Sequence, residues 1–94
     1  MSSSDIDSLR AELDTIDEEM MRLLGERFGV TRRVGALKKA NGHKAVDPAR
    51  EAAQDARIRR QAAAVGIDGD LAVAVMRLVR ARVVEDHRAM GVGD

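Results

Sequence analysis

The chain has no cysteine, no tryptophan and no tyrosine, and only one phenylalanine and one proline among its 94 residues. Without cysteine there is no disulfide framework and no thiolate chemistry. With aromatics nearly absent, the core must be assembled from Leu, Val, Ile, Met and Ala. That favours helices packed through small side chains over a sandwich or barrel rich in aromatic and β-branched strands. No charge of one sign dominates, since 16 Lys and Arg balance 16 Asp and Glu. The whole chain therefore exerts no pull toward nucleic acid or anionic membrane, although local basic clusters remain. No apolar run is long enough for a membrane span, and the opening MSSSDID is acidic where a secretory signal would be basic, so the expected location is the cytoplasm. The two histidines, His43 and His87, lie far apart with no helical pairing, which argues against a metal site.

A chain of this length makes one domain at most, here residues 1–94, and folding alone it buries only about 60–65% of its unfolded surface. Its breaks are Asn41-Gly42-His43, Pro48 and Gly66-Ile67-Asp68-Gly69. They leave three segments, each predicted to be a helix, and the expected fold class is all-α. In the first, apolar residues fall at Ile6, Leu9, Leu13, Ile16, Met20, Leu23, Val30, Val34 and Leu37. The steps alternate three and four, which is one face of a helix. Ser4 is the expected cap, with Asp5 and Asp7 in a first turn that favours negative charge. A helix from about Ser4 to Ala40 is about 50–55 Å long at 1.5 Å per residue. A compact monomer of this size has a radius of gyration of only about 12–13 Å. Such a helix cannot cover its own stripe and needs a partner. The second helix is predicted from Asp47-Pro48 to about Val65, with Pro at the first helical position, and the third from near Asp68 to about Met90. The third carries an apolar stripe of Leu71, Val75, Leu78 and Val79, flanked by Met76, Val79 and Val83. Gly91-Val92-Gly93-Asp94 reads as a frayed tail.

Arg27 occupies the one seam position where the spacing asks for an apolar residue. A buried arginine must meet an anion or snorkel outward, so Arg27 is either a register device facing a carboxylate or a ligand for a bound anion. Lys38, eleven residues on, points in nearly the same direction at 100° per residue, and two cations on one face favour the anion. Arg10 lies about 25 Å before Arg27 along the helix and can serve that pocket only from an antiparallel partner. Taken singly, Arg10 and Lys38 also suit a solvated face. Asp47, Arg50 and Glu51 cluster at the start of the second helix. There they make a cap with ordinary first-turn charges, or an acceptor beside free N–H groups for a hydroxyl-bearing ligand. His87 continues the line of Met76, Val79 and Val83. A lone histidine there is more often an interfacial or exposed residue than a catalytic one.

The order Leu9-Arg10, Ile16-Asp17, Arg27, Val34-Gly35-Ala36-Leu37-Lys38 and Val46-Asp47-Pro48-Ala49-Arg50-Glu51 resembles the all-helical AroQ-type chorismate mutases. The likeness runs from about Asp5 to Arg88, and its specific part is the joint spacing of Arg10, Arg27, Lys38 and the Asp47, Arg50, Glu51 group. It implies three helices per chain, one very long, in an intertwined homodimer with two identical sites. It also implies conversion of chorismate to prephenate in aromatic amino-acid biosynthesis, without cofactor or metal. By that resemblance, Arg10 reaches a substrate carboxylate across the dimer and Arg27 holds a carboxylate in its own subunit. Lys38 contacts a carboxylate and the ether oxygen whose bond breaks. Glu51 accepts from the ring hydroxyl, aided by the backbone at Asp47, with Arg50 close by. Two positions depart from the family pattern. Val83 stands where many members carry a small hydroxyl residue facing the ring carboxylate, and His87 where they carry Gln or Glu near the ether oxygen.

The rearrangement is intramolecular and pericyclic. It needs a compact conformer of a dicarboxylate and charge stabilisation at one oxygen, but no nucleophile or base. Two rival readings use the same residues. An isochorismate–pyruvate lyase shares the scaffold, although Asp47 and Glu51 favour the mutase. A non-enzymatic helical dimerisation module would leave the Arg10, Lys38, Glu51 constellation as coincidence. Arg77, Arg80, Arg82 and Arg88 on the third helix form either a solvated basic face or a contact for an upstream shikimate-pathway enzyme.

The histidine yields a testable consequence. A protonated imidazole donates a stronger hydrogen bond to a developing oxyanion than a neutral one, and histidine changes charge near neutrality. If His87 serves the ether oxygen, kcat/KM falls as pH rises through the neutral range. His87→Gln then flattens the profile and retains activity at high pH. Identical profiles for the two proteins, with unchanged rates in His87→Ala, would remove His87 from the chemistry.

Overall fold

The structure, a computed structural model, describes residues 3–94. Three helices make up the fold: α1 (Ser3–Asn41), α2 (Pro48–Val65) and α3 (Gly69–Ala89). Among the described residues there is no strand, and no helix is long and apolar enough to cross a membrane. The chain divides into two units, one running through Thr31 and the other comprising Arg32–Asp94.

The helix starts follow their capping residues. Asp47 is extended and its side chain accepts from the Arg50 N–H at 3.1 Å, with Pro48 opening α2. Asp68 accepts from the Asp70 N–H at 2.9 Å and opens α3. Ser4 does not cap α1, because the helix is already under way at Ser3 and its cap falls outside the described residues. All three helices stop the same way, on a glycine in the left-handed region. Gly42, Gly66 and Gly91 have φ of 69°, 76° and 94°. In each case the next residue's N–H reaches back five residues: His43 to the Lys38 carbonyl at 2.8 Å, Ile67 to Ala62 at 2.9 Å, and Val92 to His87 at 2.9 Å. This Schellman geometry satisfies carbonyls that the helix end would otherwise leave open.

The last four residues are therefore not frayed. Val92 is 4% exposed, the Ala45 N–H donates to the Gly93 carbonyl at 2.8 Å, and Arg88 meets Asp94 at 2.8 Å. The terminal segment is tied both to α3's end and to the loop before α2. A composition rich in glycine suggested freedom, but here the glycine permits the turn that brings Val92 inward.

Within the second unit, α2 and α3 run antiparallel, since Arg59 pairs with Asp70 while Asp55 pairs with Arg77 and Arg80. The buried apolar residues of the described chain are Ala45, Ala62, Val73 and Val92, all in this unit. On α3 the inward face carries Val73, Arg80 and His87, seven residues apart, with Met76, Val79, Val83 and Val84 half-buried. The stripe expected to lead, Leu71, Val75 and Leu78, is instead 50–76% exposed, and the flanking line faces inward. On α1, the nine seam residues from Ile6 to Leu37 are all exposed, between 39% and 63%. The chain leaves its strongest apolar pattern uncovered.

His87, 2% exposed, lies against Gly35 of α1. A Cβ at residue 35 would come within 2.7 Å of the imidazole Cδ2 and 3.0 Å of both its Nε2 and the Met90 sulfur. Gly35→Ala should therefore lower the melting temperature. Overpacking of about 1–3 kcal/mol outweighs the gain of up to about 1 kcal/mol that alanine brings to a helix. Combined with His87→Ala, the cost of Gly35→Ala should shrink, because the clash and the residue that causes it are removed together. Additive losses in the double variant would show that the ring does not fill that space.

Candidate functional site

Six of the eight expected site residues lie in the unit Arg32–Asp94: Lys38, Asp47, Arg50, Glu51, Val83 and His87. Lys38 is half-buried near the end of α1, and its Nζ donates to the Ala45 carbonyl at 3.4 Å. That contact engages one of the ammonium's three donors. The side chain thus curls over the loop that feeds α2. Lys38 lines a hollow of about 370 Å³ with Gly42, His43, Lys44, Val46, Asp47 and Pro48. Asp47 and Lys38 share this hollow because the α1 stop at Gly42 turns the chain back immediately after Lys38's own turn. His87 meets α1 at Gly35, three residues before Lys38, and so on a neighbouring turn. Its burial rules out the surface position.

Glu51 is half-buried in the first turn of α2, where a negative charge is favoured by the helix dipole. It lines a second hollow, about 450 Å³, with Pro48, Ala52, Asp55, Arg77, Arg80 and Ala81. The two hollows flank the start of α2 and share Pro48. Arg50 is exposed, and its firm assignment is the backbone N–H given to Asp47. Val83 is half-buried on α3 and brings no polar atom. Arg10 and Arg27 belong to the first unit. Arg10 is exposed and 4.0 Å from Asp7, a pairing weak enough to be exchanged for another anion. Arg27 is half-buried, although the apolar residues of its seam are exposed.

The residue that sequence reasoning missed is Arg80. It is not part of a solvated basic face but 9% exposed, with Asp55 against it. The signal was available in its register: Arg80 stands midway between Val73 and His87 on the inward line of α3. The other three arginines of that helix are also paired, Arg77 with Asp55, Arg82 with Asp86 and Arg88 with Asp94. Hydrogen bonds from Arg80, and then from Arg77, hold the Asp55 carboxyl below the usual carboxylate range, with partial burial opposing them.

The family model for chorismate mutase type II matches residues 9–87, and the chain belongs to this family. It is 33% identical over 76 residues to a T-protein of Enterobacter agglomerans, a match covering 81% of this chain and 20% of that protein. A T-protein of Haemophilus influenzae is 35% identical over 69 residues, covering 73% of this chain and 18% of the relative. An intracellular chorismate mutase of Mycobacterium tuberculosis is 32% identical over 80 residues, covering 84% of this chain and 72% of the relative. The chain thus spans about a fifth of the T-proteins' length.

The Asp55 cluster sets an acid limit. A carboxyl whose folded pKa lies below its unfolded one stabilises the fold above the unfolded value, and that contribution is lost as pH falls through the folded value. Asp55→Asn should therefore weaken the protein toward urea most at neutral pH. The gap to the wild type should close as pH drops below about 4, where an unperturbed aspartate protonates. A gap that stays constant from pH 7 to pH 2 would mean that Asp55 contributes by shape alone.

Proposed function

We propose that this chain is a chorismate mutase that rearranges chorismate to prephenate, acting as a homodimer in the aromatic amino-acid branch of the shikimate pathway. The observation that carries the reading is the chorismate mutase type II match over residues 9–87, which takes in every proposed site residue from Arg10 to His87. The arrangement of Lys38, Asp47 and Glu51 around the start of α2 supports it: a cation and acceptors, in recesses open to a small ligand, suit a hydroxylated dicarboxylate. Residues 1–94 then work as one domain, in the cytoplasm, without cofactor or metal.

In this mechanism the carbon–oxygen ether bond of chorismate breaks as a carbon–carbon bond forms within the same molecule. Arg27 and Arg10 of the partner subunit bind the two carboxylates and hold the compact conformer. Lys38 donates to the ether oxygen as negative charge grows there, and His87 is the second donor. Glu51 accepts from the ring hydroxyl, with Asp47 and Arg50 shaping the end of the site, and Val83 contributes apolar contact only. Fixed donors aimed at developing charge reduce the barrier because they need no reorganisation as the reaction proceeds.

The support for a second copy is the α1 seam. Nine exposed apolar side chains in one helical register form a face that monomeric soluble proteins rarely tolerate, and each, at 39–63% exposure, has roughly half of the 1.5–3 kcal/mol of full burial still to gain. A contact with an upstream pathway enzyme would fall to Arg77, Arg82 and Arg88, the exposed arginines of α3.

Incubation with chorismate and with isochorismate tests the activity, and prephenate from chorismate is the expected product. Salicylate and pyruvate from isochorismate would assign the chain to the lyase reading, and no turnover would leave a helical dimerisation module. Arg27→Ala and Lys38→Ala should each lower kcat/KM by about 10²-fold or more. Arg10→Ala and Arg27→Ala, each nearly inactive, should regain activity when their subunits are mixed, because one site of the mixed dimer then holds both arginines. No recovery despite proven subunit exchange would place Arg10 outside the site.

A further inference from the structure

Arg80 sits where the inward line of α3 meets the first turns of α2, and its guanidinium is used almost to capacity. Its Nε donates to the Met76 carbonyl at 3.4 Å within its own helix. Nη1 donates to the Glu51 carbonyl and to the Gln54 side-chain oxygen, both at 3.2 Å, and Nη2 donates to the Asp55 carboxylate. A guanidinium has five N–H donors, so four of them are engaged here. Three of the four acceptors come from α2 residues 51, 54 and 55, which share one helix face. Arg77 grips the other Asp55 oxygen at 2.8 Å from the exposed side.

We infer that Arg80 is a positioning residue: by bonding the Glu51 carbonyl, it fixes the backbone from which the Glu51 carboxylate reaches the substrate hydroxyl. This rests on the proposed mutase reading for Glu51's role. A direct part in holding a substrate carboxylate is disfavoured, because four of its five donors are already taken, three of them by α2. The hollow lined by both Glu51 and Arg80 places clamp and clamped residue side by side. Arginine is required for the task, because only a planar fork can span a carbonyl, an amide oxygen and a carboxylate at once. Lysine offers one charged point and can satisfy only part of the set. Among the described residues, Arg80 is the α3 side chain that bonds the Glu51 carbonyl and Gln54, while Arg77 shares Asp55 with it.

The test is a double-variant cycle on the full chain, with amide exchange alongside. Glu51's hydrogen bond to a hydroxyl exists before and during the reaction, so weakening it raises KM more than it lowers kcat. Arg80→Met should therefore raise KM for chorismate roughly 10-fold with a smaller change in kcat, as expected when a binding group is displaced slightly. Arg80→Lys should recover part of the loss. In a Glu51→Ala background, Arg80→Met should cause no further loss of kcat/KM, since the group it positions is gone. Losses that multiply in the double variant, or an unchanged KM in Arg80→Met, would overturn the inference. If Arg80→Met does not fold, Arg80→Lys takes its place in the cycle, with the same readout. Hydrogen exchange of the unliganded protein keeps the outcome separate from the substrate assignment. The amides of residues 50–55 should exchange faster in Arg80→Met while those of residues 9–23 do not. Unaltered exchange at 50–55 overturns the clamp. Faster exchange there in a protein whose wild type leaves chorismate untouched upholds the clamp and rejects the mutase reading instead.

Discussion

Shortage of apolar burial governs this molecule. The described residues bury only Ala45, Ala62, Val73 and Val92 as apolar side chains, while nine seam residues of α1 stay exposed. Four small side chains cannot offset the conformational entropy of ordering some 90 residues, which costs about 1–2 kcal/mol of backbone freedom per residue. The fold therefore leans on devices that cost little entropy. Three glycine stops close the helix ends, two aspartates open α2 and α3, and a terminal segment is bonded to both α3 and the α2 entry loop. The seam remains the large unspent reserve of hydrophobic free energy, and it is the feature that a second copy would use.

The same shortage explains why charge appears inside. Arg80 and Asp55 occupy space that a larger protein would fill with leucine, and a buried ion pair is tolerated only when nearly every donor and acceptor has a partner. Here the guanidinium reaches four acceptors, and Arg77 completes Asp55. Such a cluster adds directionality that aliphatic contacts lack. Apolar packing holds α2 near α3, but the fork of hydrogen bonds fixes which turn of α2 stands opposite Arg80. For the proposed rearrangement, which depends on aimed donors and acceptors, that precision matters more than the net stability of the pair. Lys38 and His87 are held by related means, one over the loop at Ala45 and the other against Gly35.

Helix positions were legible in the sequence because they follow from local rules. The alternation of three and four along α1, Asp47-Pro48 ahead of α2, Asp68 ahead of α3, and glycine past each end are all encoded within a few residues of where they act. The uncovered seam was legible too, since a long amphipathic helix outruns what a 94-residue chain can wrap. The family's characteristic order of charges, from Arg10 to Glu51, can be read without coordinates. What the sequence by itself determined, then, is the set of helices, their ends, the unmet apolar face and the inventory of groups suited to a dianion.

Tertiary structure alone decided which of those groups are structural. The frayed tail expected from two glycines is anchored, because the Val92 N–H and the Gly93 carbonyl find partners 5 and 48 residues away in sequence. The leading stripe of α3 faces outward and its flanking line faces inward, because two candidate faces less than a turn apart differ only in what lies opposite them. Arg80 reads as one of four similar arginines in the sequence. It becomes a clamp only because antiparallel pairing of α2 and α3 sets the Glu51 carbonyl, Gln54 and Asp55 within its reach. Periodicity specifies that a helix has an inside. Long-range pairing specifies what that inside meets, and for a charged side chain the partner decides whether it is solvated, buried or functional.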